Sequence, residues 1–224
     1  MALASRPPPA RASRARGPRR KRGRYHHGDL RRALLDAALA VLTEADARAL
    51  TLREVARRAG VTHAAPYRHF TDKEALLSAV AEEGFRTLTE EMRTALRDAG
   101  EDPVERLESL GVGYVRFALG HPAHFQVMFG PDLTWDEQMH ALEEAADCSF
   151  QLLLGSVQAG QAAGKLRAGD PLPLGLLCWS MVHGLATLLV NGNLKHVHDQ
   201  LPPTAEALAR QMTRDLTRGL LAGG

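Results

Sequence analysis

The sequence predicts an all-α protein in which a three-helix unit precedes a larger helical one. Aromatic residues make up 5% of the chain, and alternating runs of Val, Ile or Thr are scarce, which removes the usual material of sheets. Apolar residues instead recur at spacings of three and four, in segments divided by Gly and Pro. At 224 residues the chain is long enough to bury a substantial core.

The first helix is expected over residues 27–45. Leu30, Leu34, Ala37, Ala38 and Val41 trace its apolar stripe, while Arg31, Arg32 and Asp36 lie off it. After a short turn, Thr51 and Glu54 have the spacing of a capping box, and Leu52, Val55, Ala56 and Ala59 share the inward face of the helix that follows. Gly60 is the natural left-handed stop, and Thr62 offers a second N-cap for a helix over residues 63–69. That helix is too short and too polar to be justified by its own propensity. Two short helices hinged at a glycine are the layout of a helix-turn-helix, and a nucleic-acid groove accounts for the second one.

Thr71-Asp72-Lys73-Glu74 reads as another capping box, launching a long helix to residues 98–100 with Leu76, Leu77, Val80, Leu88 and Met92 inward. Pro103 suits the first turn of a helix reaching residue 119, and Gly120-His121-Pro122 interrupts it. A short helix over residues 122–129 ends at Gly130-Pro131. A longer one over residues 134–164 carries Met139, Leu142, Ala146, Leu153 and Val157. Gly169-Asp170-Pro171 is the next break, and an amphipathic helix over residues 204–221 follows Pro202-Pro203.

The segment between those breaks, residues 172–190, has no charged residue. Its length approaches the ~20 residues of a membrane span. Pro173, Gly175, Ser180, His183 and Gly184 interrupt it, however, and its flanks lack aromatic belts and a clear positive bias. A soluble helix apolar on all sides must be covered on all sides, in part by its own domain and in part by a second subunit.

Net charge is only +2, but residues 1–24 carry nine Lys/Arg and no acid, whereas residues 74–224 hold eleven basic and twenty acidic side chains. A basic front and an acidic back suit a protein whose front meets phosphate. Arg supplies 24 of the 28 basic residues, as coding bias would produce, yet bias does not explain the absence of acids before Asp29. Residues 1–22 read as a disordered basic arm that adds non-specific affinity for DNA. They lack the apolar segment of a secretory signal, and Pro7-Pro8-Pro9 and Gly17-Pro18 would break a transit-peptide helix. Cys148 and Cys178 read as two buried thiols in a reducing cytosol. His121 and His124 stand three apart without a supporting Cys or carboxylate, adjacent His26 and His27 diverge, and His196 and His198 fit a solvated loop, so no metal site is expected.

The run from Tyr25-His26-His27-Gly28-Asp29-Leu30 through Tyr67-Arg68-His69-Phe70-Thr71-Asp72-Lys73-Glu74-Ala75-Leu76-Leu77 resembles the DNA-binding domain of TetR-family transcriptional regulators. The back half is similar to the subgroup named for a Trp-His-Gly signature, here Trp179, His183 and Gly184, with His121-Pro122-Ala123-His124-Phe125 also characteristic. The resemblance implies a basic arm over residues 1–23, a DNA-binding domain over 24–73, and a ligand-binding and dimerisation domain over 74–224. It implies that His63, Ala64 and Ala65 face base edges, with Thr62 beside them. Tyr67, His69 and Lys73 would hold phosphates, and Tyr25, Thr51 and Arg53 would also reach DNA. Pro66 departs from the apolar residue common at its place and removes one helical N–H, which tightens that helix. Phe70 reads as core. Tyr67 reads as a phosphate-contacting hydroxyl above a packed ring, and Arg57 and Arg58 as a solvated face.

The chain therefore reads as a cytoplasmic, homodimeric, ligand-responsive regulator, a repressor of a near-palindromic operator, paired through its last two long helices. Ligand-cavity candidates are Phe117, His121, Phe125, Met128, Trp135, Trp179 and His183, chosen as aromatic, sulfur or imidazole groups near helix breaks. A core role for His183 is an equal reading. An enzyme is disfavoured, and no cofactor is expected, because no nucleophile with a local base, Gly-rich phosphate loop or metal-ligand set is evident. The remaining alternative is an architectural protein that coats DNA through the basic arm without sequence preference.

Overall fold

Side-chain caps from Thr51, Asp72, Asp102, Asp170 and Thr204 fix where five of the described helices begin. The computed structural model describes residues 27–45, 49–135 and 139–221. Tyr25, His26 and the basic arm lie outside them.

The first helix, α1 (His27–Glu44), leads to α2 (Leu52–Arg58), which opens on Thr51 with its hydroxyl accepting from the Glu54 N–H at 3.1 Å. Glu54 does not close the expected capping box. Its carboxylate is taken by Arg57 at 2.6 Å and Arg58 at 3.0 Å, because guanidinium donors outbid a neutral backbone N–H. Gly60 has φ +67°, and a Cβ there would meet nothing, so the left-handed backbone alone calls for glycine.

The second helix expected here is reduced to a turn. Ala65 N donates to Thr62 O at 2.9 Å and His69 N to Pro66 O at 2.9 Å, and the helical part is a single 3-10 turn, Pro66–Arg68. Pro66 has no N–H to bond back to Thr62, so the i−3 pattern replaces an α-helical ladder. The 3-10 turn starts from Ala65, and Thr62 provides no side-chain cap for it.

The next helix, α3 (Lys73–Asp98), is capped by Asp72 rather than Thr71: Asp72 Oδ1 accepts from Ala75 N at 2.8 Å, while the Thr71 hydroxyl donates to Asp72 Oδ2 at 3.1 Å. A carboxylate answers the partial positive charge of a helix start better than a hydroxyl. Asp102, with Pro103 behind it, opens α4 (Pro103–Gly120), and α5 (Pro122–Phe129) follows. The helix expected from residue 134 begins later, as α6 (His140–Ala162). Leu133 is buried and the Trp135 ring stands 6.2 Å from that of Phe85, so the chain is drawn across the bundle before it coils. Asp170 caps α7 (Pro171–Val190), and Thr204 caps α8 (Ala205–Leu220).

In the bundle α3 is central, packing against α1, α4, α5 and α6, while α7 and α8 pack on α4. One apolar core extends from Leu34 of α1 to Leu220 of α8. By length and composition α7 could cross a membrane, but it lies against α4, α6 and α8. Cys178 is buried as expected, whereas Cys148 is exposed on the outer side of α6.

Candidate DNA-binding surface and ligand cavity

The turn after Gly60 forms a small outward platform. Thr62, His63 and Ala64 are exposed, Ala65 is half-buried, and Pro66 is buried beneath them. Small side chains at 64 and 65 permit close approach to a groove floor. Thr51 and Arg53 are exposed at the start of α2 beside this platform, and Lys73 is half-exposed at the start of α3. Tyr67 is 56% exposed, so its ring is not packed beneath its hydroxyl as expected. His69 is half-buried with Nε2 enclosed and unpartnered. Phe70 is core, with the Arg31 guanidinium 5.7 Å above its ring.

Arg57 and Arg58 hold Glu54, and Arg58 also reaches Glu44 at the end of α1 at 2.5 Å. The hydrogen bonds from Arg57 and then Arg58 bring the Glu54 carboxyl down to about 2. This chain of charges ties α2 to α1 and leaves Arg53 as the guanidinium of α2 outside it.

Within the larger unit, α3, α4, α5, α6, α7 and α8 line a cavity of about 700 Å³. Its walls carry six aromatic rings, from Phe85, Tyr114, Phe129, Trp135, Phe150 and Trp179. Leu107, Leu110, Gly111 and Tyr114 reach it from one face of α4, at spacings of three and four. Gly111 is a close-packing position: a Cβ would stand 2.4 Å from a Thr213 methyl of α8. Burial pushes the Cys178 thiol in the wall up to about 11, leaving it protonated at neutral pH.

A polar cluster sits at one wall. The Tyr114 hydroxyl is hydrogen-bonded to His183 Nδ1 at 2.8 Å and accepts from Trp179 Nε1 at 3.3 Å. Burial holds the Tyr114 hydroxyl well above its ordinary pKa and pushes that of His183 down, so burial favours the neutral form of both. Trp179 and His183, one helical turn apart, thus share a single partner from α4.

Of the residues expected at a ligand site, Met128, Trp135 and Trp179 line the large cavity. Phe125 and His183 line a smaller neighbour of about 400 Å³, which also touches Leu42 of α1 and is separated from the first by Phe129. Phe117 and His121 line neither. Phe117 is fully buried and stacked on His121, with centroids 5.4 Å apart. Nearness to a helix break picked out Met128 and Trp135, but the large cavity is lined mainly from mid-helix positions. Tyr114 was missed, although a lone tyrosine in an apolar helix signals a buried hydroxyl that needs a partner.

An exposed reader turn held on a three-helix scaffold, joined by α3 to a cavity-bearing bundle, defines a helix-turn-helix DNA-binding regulator. A profile of bacterial regulatory proteins of the tetR family matches residues 34–80, and one of the tetracyclin repressor-like C-terminal domain matches residues 107–216. The chain belongs to the TetR family of transcriptional regulators. It is 38% identical over 80 residues to the HTH-type transcriptional regulator BetI of Rhizobium meliloti, a match covering 36% of this chain and 39% of that relative's length. A solved protein of unknown function from Rhodococcus sp. RHA1 is 36% identical, with a TM-score of 0.76 over 88% of this chain and 98% of that one. FadR of Bacillus subtilis, solved in complex with stearoyl-CoA, shares the fold at 19% identity, with a TM-score of 0.68 over 84% of this chain and 98% of that one.

Proposed function

We propose that this chain is a ligand-responsive repressor, acting in the cytoplasm as a homodimer on a near-palindromic operator. The carrying observation is the reach of α3. Its first residue, Lys73, adjoins the reader turn, and Phe85, Leu88 and Met92 further along the same helix line the large cavity. At ~1.5 Å per residue the separation from Lys73 to Phe85 is roughly 18 Å along one rigid element. A molecule that displaces the far end tilts the near end, and it acts through its differential affinity for the two positions.

In this reading His63, Ala64 and Ala65 meet base edges, with Thr62 beside them. Tyr67, Lys73 and His69 hold phosphates, and Thr51, Arg53 and Tyr25 extend the contact. Dimerisation is supported by α7. Leu172, Leu176, Ser180, Gly184 and Leu188 repeat every fourth residue, all exposed, and a Cβ on Gly184 would meet nothing within this chain. Leucines at the ends and small residues between them suit two helices crossing closely, with α8 beside them. A pair so formed sets two reader turns one helical repeat, ~34–36 Å, or a multiple apart.

The test compares binding to a palindrome from the protein's own promoter with binding to scrambled DNA as salt is raised. A preference that persists while both affinities fall supports the reading. Equal affinity for both sequences at every salt concentration would overturn it. Removing residues 1–22 should weaken both and flatten the salt slope, and loss of sequence preference on that deletion would reassign the arm as a reader.

A further inference from the structure

We infer that the ligand of the large cavity is a lipophilic organic cation, an apolar body carrying a quaternary or protonated nitrogen. The inference rests on the cavity being the effector site of the proposed regulator.

The charge of the wall points to this class. Among the described residues lining the cavity there is no Lys, Arg or His, and the single ionisable carboxyl is Asp147 of α6. One turn along α6 from Asp147 is Phe150, whose ring stands 6.0 Å edge-on to that of Trp179. Asp147 is exposed at the rim, so a cation seated among these rings, whose faces attract positive charge, has one carboxylate in the same wall to compensate it. Behind the wall, Thr217 donates to Glu108 at 2.8 Å, a second and nearly buried acid, with the Arg214 Nε 3.7 Å away and half-exposed. The internal polar groups add no positive charge: Tyr114, Trp179 and His183 satisfy one another as neutral groups. An anionic head placed here would lose its water and find no cationic partner. The volume, about 700 Å³, suits a drug-sized body.

Two probes of one shape and opposite charge decide the matter, tetraphenylphosphonium and tetraphenylborate. Both tryptophans of the sequence line the cavity, so intrinsic fluorescence reports occupancy, with calorimetry as a second readout. The expected result is a preference of about tenfold or more for the cation. Asp147→Asn should cut cation affinity roughly threefold to fivefold, the scale of a rim-exposed charge pair. Asp147→Lys should turn the preference toward the anion, and Glu144→Gln, an exposed acid on α6 outside the lining, should leave it unchanged. Equal or stronger binding of tetraphenylborate to the native protein overturns the inference, as does binding of neither ion, or a preference indifferent to residue 147. Release of promoter DNA is measured separately. Cation binding without release sinks the regulator reading while the ligand class stands. Release by stearoyl-CoA but not by the cation sinks the ligand class while the regulator reading stands.

Discussion

The Tyr114 hydroxyl is hydrogen-bonded to His183 Nδ1 at 2.8 Å, joining the middle of α4 to the middle of α7 across 69 residues of sequence. Trp179 completes the joint by donating to the same oxygen. Trp179 and His183 therefore act as a clasp around a tyrosine, which gives a structural reason for their spacing of four.

Tyr114→Phe removes the hydroxyl that bonds His183 and accepts from Trp179 at a buried site. The expected cost is about 1–3 kcal/mol, on the scale of a lost buried hydrogen bond. Thermal unfolding should show a Tm several degrees lower, and an unchanged Tm would mean that the clasp contributes no stability.

His183 has a sign that can be checked by pH. Burial lowers its folded pKa below the ordinary 6.5, so the unfolded chain takes up the proton first. Stability is then complete above pH 6.5 and declines as pH falls from there toward the lower folded value. Urea midpoints between pH 8 and pH 5 should show this decline, and His183→Asn should reduce it.

The joint between α1 and α2 responds at lower pH. Arg57 and Arg58 lower the Glu54 carboxyl from 4.5 to about 2, so their contribution is present above pH 4.5 and is lost as pH falls through the folded value. Glu54→Gln should destabilise α2 at pH 7 and have little effect near pH 2. Hydrogen exchange of the α2 amides is the measurement.

Gly184→Leu separates folding from pairing. A Cβ at 184 meets nothing within the chain, and leucine is a better helix former than glycine by up to about 1 kcal/mol. The isolated fold should be as stable or more so, while the bulk obstructs a close crossing of α7 with a second copy. Sedimentation should report a monomer, and an intact dimer would move the interface elsewhere.

Arg32 of α1 bonds to Asp36 at 2.6 Å and to Glu83 of α3 at 3.0 Å, and buried His124 of α5 lies 3.5 Å from the same Glu83 oxygen. Exposed ion pairs contribute at most about 1 kcal/mol to stability. Arg32→Gln should therefore leave Tm nearly unchanged, yet reduce the change in DNA affinity that a cavity ligand produces. Anisotropy titrations with and without that ligand test it.

Much of this fold was legible from local chemistry. Thr51, Gly60, Pro103 and Thr204 act where their types predict, because caps and stops depend on a few neighbouring atoms. Errors arose where other side chains compete, near in sequence or far. Glu54 was claimed by two arginines, one of them also bound to Glu44 of another helix, and Trp135 was drawn onto Phe85, delaying α6. Phe117 and Tyr114 stand three apart on α4, and helical spacing alone does not tell which meets a void and which meets His121. A cavity is defined by several elements at once, and its lining becomes visible only when they are assembled.

Pro66 sets a limit on how much of an operator one subunit can spell out. The residues proposed to meet base edges are only His63, Ala64 and Ala65, and the single 3-10 turn that follows them, Pro66–Arg68, adds just about 6 Å at ~2.0 Å of rise per residue. A half-site read over so short a span holds little information, so a genome would offer many chance matches to it. Discrimination has to come from requiring two such words at a fixed distance, or from the bendability of the DNA between them. Changing the spacing between half-sites should then be more damaging than changing any single base within one.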